Sequence, residues 1–310
     1  MKIIIVRTVS EKNRRLISSQ FPGDWQIVIV SEEELKNKIK DADVLIPENS
    51  PVEPELLDTA KNLKLIQTGA GYDCVSVEEC TKRGIYVANA AGMNARAVAE
   101  HVFAFILCWF KNIIILDRAL KKGNDVIDYA GAELSQKTIG IIGLGNIGKQ
   151  VATLATAFRM KILGYHYHQI DPPEYIEMTH FETLLKRSDI VTVHVALNDQ
   201  TRQMIGKNEF ELMHNDALLI NTSRGAVLDE CALIEALQNG NIGGAGLDVF
   251  EEEPLPQDSP LRNFENVILT PHTAGEPDSL HFHSKRFKFF AENIRRVAEG
   301  KTPKNVLNQL

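Results

Sequence analysis

The chain has 310 residues, of which 44% are hydrophobic and 24% charged, and it carries a net charge of -7 with a pI near 5.8. That balance excludes a disordered or low-complexity chain over most of its length. The acidic charge, with no basic run and no basic–aromatic stripe, argues against a nucleic-acid partner, which needs a positive footprint.

The length suits two domains of ordinary size. Cys74, Cys80, Cys108 and Cys231 form no CxxC pair, so neither a metal centre nor a disulfide framework is expected. The apolar run at residues 3–6 is too short for a signal-peptide core and reads as a buried first strand. The longest apolar stretch, residues 102–116, is interrupted by Lys111 and Asn112 and is too short to span a bilayer. A cytoplasmic protein with no membrane partner is the expectation.

In chain order, residues 3–6, 26–30, 44–46, 63–67 and 85–87 read as strands, with helices between them at 32–39 and 54–61. This alternation predicts a parallel sheet covered by helices on both faces. Residues 95–122 read as one long helix, stopped by Lys121-Lys122-Gly123. A polar connection at 124–136 leads to a second series of strands at 138–142, 160–163, 190–194, 217–221, 244–248 and 267–269. Six strands suit a complete dinucleotide-binding unit. A final helix is expected at about 279–300.

The first strand of the second series runs into Gly143-Leu144-Gly145-Asn146-Ile147-Gly148, a G-x-G-x-x-G turn followed by the helical pattern Val151, Leu154, Ala155, Phe158. The first glycine permits a tight turn, the second lets a pyrophosphate approach the backbone, and the third lets helix and strand pack closely. The following helix N-terminus offers open N–H groups to phosphate. A ribose-binding carboxylate is expected about 20 residues further on, but the segment there reads Tyr165-His166-Tyr167-His168, with His166 in the acid's place. Loss of the carboxylate removes a barrier to a 2′-phosphate, and a protonated His166 would attract one, so the cofactor reads as NAD or NADP with the choice open.

Several separated motifs then resemble the D-isomer-specific 2-hydroxyacid dehydrogenase family over nearly the whole chain. They are Gly69-Ala70-Gly71-Tyr72-Asp73, Asn94 with Val98-Ala99-Glu100-His101, the glycine turn, Asn221-Thr222-Ser223-Arg224-Gly225, Gly246-Leu247-Asp248-Val249-Phe250-Glu251-Glu252-Glu253-Pro254, and Pro271-His272-Thr273-Ala274-Gly275. The resemblance implies catalytic roles for Arg224, Glu253 and His272, and a backbone carboxylate site at Ala70 and Gly71. It implies cofactor contacts at Gly143, Gly145, Asn146, Ile147, Gly148, His166, Val195, Thr222, Ser223 and Asp248. It also implies a Rossmann dinucleotide-binding domain at 98–273, inserted into a flavodoxin-like parallel α/β substrate domain at 1–97 plus 274–310, with the active site in the cleft and a homodimeric assembly. Gln136 and Ala196 depart from the family's usual Gly and Pro.

Those residue types suit reduction of a 2-oxo acid. Arg224 offers a permanently charged fork for a carboxylate and keto oxygen. His272 can deliver or accept a proton near neutral pH, and Glu253 would stabilise its charged form. The remaining histidines, His101, His180, His194, His214, His281 and His283, are assigned to packing, capping or the surface.

A phosphorylated substrate is not expected. Residues 41–60, including the loop Pro47-Glu48-Asn49-Ser50, contain no Lys or Arg, Gln67 stands where phosphoglycerate enzymes of the family carry Arg, and no regulatory domain follows Leu310. The expected activity is hydride transfer between NAD(P)H and C2 of a small 2-oxo or D-2-hydroxy acid such as glyoxylate, hydroxypyruvate or a short aliphatic acid. The rival reading is a non-catalytic NAD(P)-sensing scaffold, like the family's corepressor branch.

Overall fold

The structure, a computed structural model, describes residues 1–9, 11–124, 131–275 and 279–310, with the side chains of Lys12 and of residues 279–283 excepted. Part of the polar connection read at 124–136, and the side chains of His281 and His283, therefore lie outside the described residues. The chain divides into two units, Met1–Asn94 with Asp278–Leu310, and Ala95–Pro277.

The first unit begins β1 (Lys2–Val6), α1 (Glu11–Ser18), β2 (Gln26–Val30), α2 (Glu32–Lys38), β3 (Val44–Ile46), α3 (Pro54–Thr59), β4 (Leu65–Gln67), α4 (Val77–Lys82) and β5 (Tyr86–Ala88). Its strands pair in parallel in the order β2-β1-β3-β4-β5. That is the flavodoxin-like order. Continuous apolar runs such as Ile3-Ile4-Ile5 form strands here because both faces of the sheet are covered. Alternate residues take opposite sides: Ile4, Leu45 and Ile66 join one cluster, while Ile3, Ile5, Ile46 and Leu65 join the other.

The helices α1 and α4 are short and carry few apolar residues: α1 reads Glu-Lys-Asn-Arg-Arg-Leu-Ile-Ser, and among its described side chains only Ile17 is buried. Strand β4 starts at Leu65 rather than 63, since the Leu63 N–H closes a turn on the Ala60 carbonyl at 3.1 Å.

The second unit runs α5 (Ala95–Phe110), α6 (Ile113–Lys121), β6 (Thr138–Ile142), α7 (Asn146–Ala157), β7 (Lys161–Tyr165), β8 (Glu177–Met178), α8 (Phe181–Arg187), β9 (Ile190–Val193), α9 (Lys207–Leu212), β10 (Leu218–Asn221), α10 (Glu230–Asn239), β11 (Gly244–Leu247) and β12 (Val267–Leu269). The chain then returns to the first unit as α11 (Ser279–Ala298), whose Phe287, Phe290, Ala291 and Ile294 cover the Ile3/Ile5 face.

The second sheet is parallel throughout, in the order β12-β11-β10-β9-β6-β7-β8. Counted from β6, this is the doubly wound dinucleotide-binding order with one further edge strand, and the order reverses between β6 and β9. The single long helix expected at 95–122 is instead two helices, α5 and α6, bent by 59°. The break falls at Asn112, whose φ of 53° is left-handed and ends the α5 hydrogen-bond ladder. Neither is long and apolar enough alone to cross a membrane. Helix α5 is instead a core element of this unit: Val102, Phe103 and Ile106 cluster with Val151 and Ala155 of α7.

Candidate active site

Each group singled out in the second unit sits just beyond the carboxyl end of a strand, where open parallel sheets bind ligands. The glycine turn follows β6. Gly143 has φ 95°, and a Cβ there would meet the His194 carbonyl oxygen at 2.6 Å, so the turn closes directly against the end of β9. Val195 lies at the same point, its Cγ1 3.1 Å from that Cβ position. A Cβ on Gly148 would lie 2.1 Å from the Gly143 carbonyl oxygen. Gly145 differs from both. Its Cβ position has nothing within 4 Å, and it is the N-cap of α7, with Asn146, Ile147 and Gly148 forming the first turn.

His166 follows β7, and its Nδ1 accepts the Leu144 N–H at 3.1 Å. An accepting Nδ1 carries no proton, so the ring is neutral with its proton on Nε2. Burial holds its pKa below the usual histidine value, and the charges of His168 and Lys149 add to that. Attraction of a 2′-phosphate by a protonated His166 is thus not what this geometry offers: Lys149 is the permanently charged neighbour.

After β10, the Thr222 Oγ1 is buried with no hydrogen-bond partner among the described residues, while the Ser223 hydroxyl donates to the Asn221 side chain at 2.8 Å. Asn221 also donates to the Arg224 carbonyl at 2.9 Å, which fixes the turn that projects the guanidinium. One Arg224 Nη1–H donates to the Ser223 carbonyl at 2.8 Å.

After β11 and β12 come the acid and the imidazole. His272 Nδ1 donates to Glu253 Oε2 at 2.7 Å, and the Phe250 N–H donates to Glu253 Oε1 at 3.2 Å. The Glu253 hydrogen bond is the main cause that raises the His272 pKa above 6.5, against burial and the charge of Arg224. Burial pushes the Glu253 carboxyl up, but His272, the Phe250 N–H and the Arg224 charge outweigh it and hold the group below its ordinary range. Arg224, Glu253 and His272 thus act on one another electrostatically and form one group.

His272 is a non-glycine residue at φ 53°. Asp248, 1% exposed, holds it there: its Oδ1 accepts from the Thr270 hydroxyl at 2.6 Å and the Thr273 N–H at 2.8 Å, and its Oδ2 accepts from the Ala274 N–H at 2.9 Å. The Asp248 carbonyl accepts the His272 N–H at 2.7 Å. Asp248, expected as a cofactor contact, is first of all the brace of the histidine loop. His101 was assigned to packing, capping or the surface, yet its Nε2 bonds Thr270 Oγ1 at 3.0 Å and so joins this brace. Its sequence signal was membership of the Val98-Ala99-Glu100-His101 motif of the family resemblance. Of the other assigned histidines, His194 is half-buried, with desolvation of its ring pushing its pKa down to about 3, and His214 bonds the Lys186 carbonyl at 2.6 Å.

In the first unit, the turn after β4 holds Gly69, Ala70 and Gly71. The Ala90 N–H donates to the Gly69 carbonyl at 2.7 Å, and Asn89 Nδ2 donates to the Ala70 carbonyl at 3.2 Å. Among the described residues no hydrogen bond uses the N–H of Ala70 or Gly71, so both amides remain open to an anion. Gln67, just before the turn, is fully buried and bonds the Thr68 and Ala88 carbonyls and Asn293. It is structural.

Two features fit a dinucleotide: the open face of Gly145 at the start of a helix of three turns, and the orphaned Thr222 hydroxyl. The second unit is therefore a nucleotide-cofactor domain with an acid–base pair and a cation at its strand ends. Comparison with known proteins gives the narrower class. The family model described as D-isomer specific 2-hydroxyacid dehydrogenase, NAD binding domain, matches residues 103–274. A glyoxylate reductase of Korarchaeum cryptofilum is 35% identical over 99% of this chain and 96% of its own. A D-3-phosphoglycerate dehydrogenase of Methanocaldococcus jannaschii is 40% identical over 99% of this chain and 59% of its own. The crystal structure of D-lactate dehydrogenase from Aquifex aeolicus, complexed with NAD and lactic acid, has a TM-score of 0.88 at 29% identity and covers both chains in full. The chain belongs to the D-isomer specific 2-hydroxyacid dehydrogenase family.

Proposed function

We propose that this chain is an NAD(P)-dependent oxidoreductase that reduces a small, unphosphorylated 2-oxo acid to the D-2-hydroxy acid, and runs the reverse reaction, with glyoxylate and hydroxypyruvate as leading substrates. The nicotinamide, when bound, supplies or accepts the hydride at C2. The observation that carries the reading is the 2.7 Å pair between His272 and Glu253 within the field of Arg224.

The pair fixes the direction of proton flow. Nδ1–H faces the carboxylate, so Nε2 is the atom that gives a proton to the substrate oxygen in reduction and takes it back in oxidation. The Glu253 hydrogen bond raises the His272 pKa and so favours the protonated ring. Arg224 holds the carboxylate and polarises the keto oxygen as negative charge develops there. The open amides of Ala70 and Gly71 hold the carboxylate as well. Gly143, Gly145, Asn146, Ile147, Gly148, Val195, Thr222 and Ser223 receive the cofactor, with His166 presenting an Nε2–H donor toward the ribose. On this reading the first unit is the substrate domain and the second the cofactor domain, and the protein works in the cytoplasm as a homodimer.

Loss of NAD(P)H absorbance with glyoxylate, hydroxypyruvate, pyruvate, 2-oxobutyrate and 3-phosphohydroxypyruvate, each with NADH and NADPH, tests the reading. Turnover of the unphosphorylated acids is expected. Cofactor binding without turnover of any of them would favour a sensing scaffold, and a preference for 3-phosphohydroxypyruvate would place the chain with the phosphoglycerate enzymes.

A further inference from the structure

Residues 41–60 hold no Lys or Arg, yet the fold brings two arginines from elsewhere in the chain to Glu48. Arg286, from α11, donates Nη1–H to Glu48 Oε2 at 2.9 Å and Nη2–H to Oε1 at 2.7 Å, a two-pronged pair. Arg7, from just beyond β1, places Nη1 3.8 Å from the same Oε1. The side chains of Arg286 and Glu48 are only 8% and 16% exposed. Glu48 is held at φ 54°, left-handed for a residue with a side chain.

This cluster stands beside the carboxylate turn. A Cβ built on Gly69 would lie 4.0 Å from Arg286 Nη1. The guanidinium carbon also lies 5.0 Å and 5.5 Å from the ring centres of Phe287 and Phe290. An apolar side chain would suit those aromatic neighbours. A desolvated ion pair is often no more stabilising than well-packed apolar residues, so stability does not explain this one.

We infer that Arg286 and Glu48, seconded by Arg7, form the site for the substrate's C3 substituent, and that they select a 2-oxo acid bearing a hydroxyl at C3 over its aliphatic analogues. The inference rests on the proposed 2-oxo acid reductase activity and narrows its substrate. A C3 hydroxyl next to this pair can donate to the Glu48 carboxylate and accept from the guanidinium. A methyl or ethyl group there strips water from both charges and returns no hydrogen bond. Sites built to bond a hydroxyl discriminate strongly against analogues that lack it.

The test compares kcat/KM for hydroxypyruvate, pyruvate and 2-oxobutyrate in the wild-type chain, in Glu48→Gln and in Arg286→Met. Fluorescence titration of NAD(P)H binding accompanies each. The wild type is expected to favour hydroxypyruvate by at least ~10-fold, mostly through KM. Both variants should bring that ratio toward one or reverse it, with the cofactor Kd unchanged. Arg286 is buried, so circular dichroism checks that Arg286→Met folds. If it does not, the isosteric Glu48→Gln decides alone. Equal use of hydroxypyruvate and 2-oxobutyrate by the wild type, or a ratio that survives substitution, overturns the inference and leaves the reductase reading standing. No turnover of any 2-oxo acid ends both.

Discussion

At the scale of single residues, the geometry of His272, the proposed proton donor, is set by its Glu253 partner and by its backbone. His272→Asn should lower kcat by about 10²–10⁴-fold, the usual contribution of a positioned acid–base group. Cofactor binding, read by fluorescence, should persist, because His272 lies outside the glycine turn. Arg224→Lys should raise KM and lower kcat together, since an ammonium cannot bond a carboxylate in two prongs. The pH profile follows from the raised His272 pKa. Reduction needs the protonated ring, so kcat/KM for reduction stays level below that pKa and falls as pH rises through it, above 6.5. Glu253→Gln removes the main cause of the raise, and the fall should move to lower pH. An unmoved profile would separate His272 from the proton transfer. Asp248 works one step back: Asp248→Asn replaces an accepting oxygen with a donor facing other donors. That should cost about 1–3 kcal/mol in chemical denaturation and lower kcat as the histidine loop loosens.

At the scale of elements, the glycine turn and its helix separate packing from binding. Gly148→Ala forces a methyl against the Gly143 carbonyl, which is backbone and has no rotamer to escape into. A loss of about 1–3 kcal/mol or more, measured as a fall in Tm, is expected. Gly145→Ala meets open space in the protein itself. Its Tm should hold while NAD(P)H binding weakens by roughly tenfold, because the methyl occupies the approach to the α7 N-terminus. The strands were legible because both sheets are buried on both faces, which writes nearly continuous apolar runs. Helices α1 and α4 were not legible, since with eight and six residues and two apolar positions each they are too short for a 3.6-residue period to repeat. The bend between α5 and α6 hides in an apolar stretch whose period alone would continue through Asn112.

At the scale of the whole molecule, the proposed homodimer can be tested at helix α6. Helix α6 has no buried residue, and Ile113 and Leu120 are 49% and 63% exposed. A cavity of about 550 Å³ beside it has a mixed lining that includes Trp109, Ile114, Ile115 and Phe264 but also Arg118 and Glu265. Light scattering coupled to size exclusion should give twice the chain mass, and Ile113→Glu with Leu120→Glu should shift it to the single mass while NAD(P)H still binds. A wild-type chain that runs as a monomer at micromolar concentration would remove the dimer from the reading.

The sequence by itself determined the two sheets and the dinucleotide turn, because each depends on residue type and local spacing along the chain, whereas Arg224, Glu253 and His272 were singled out only through the family resemblance, as members of a set of motifs in order. Only the tertiary structure decided which groups face each other. Glu253 and His272 lie 19 positions apart, Asp248 is drawn to three donors in the histidine loop, and His166 is turned inward onto the Leu144 amide. Arg286 reaches Glu48 across 238 positions of chain. Side-chain pairing is a property of distance in space, and in parallel α/β sheets the strand ends that meet are far apart in sequence, so no window along the chain can contain both partners.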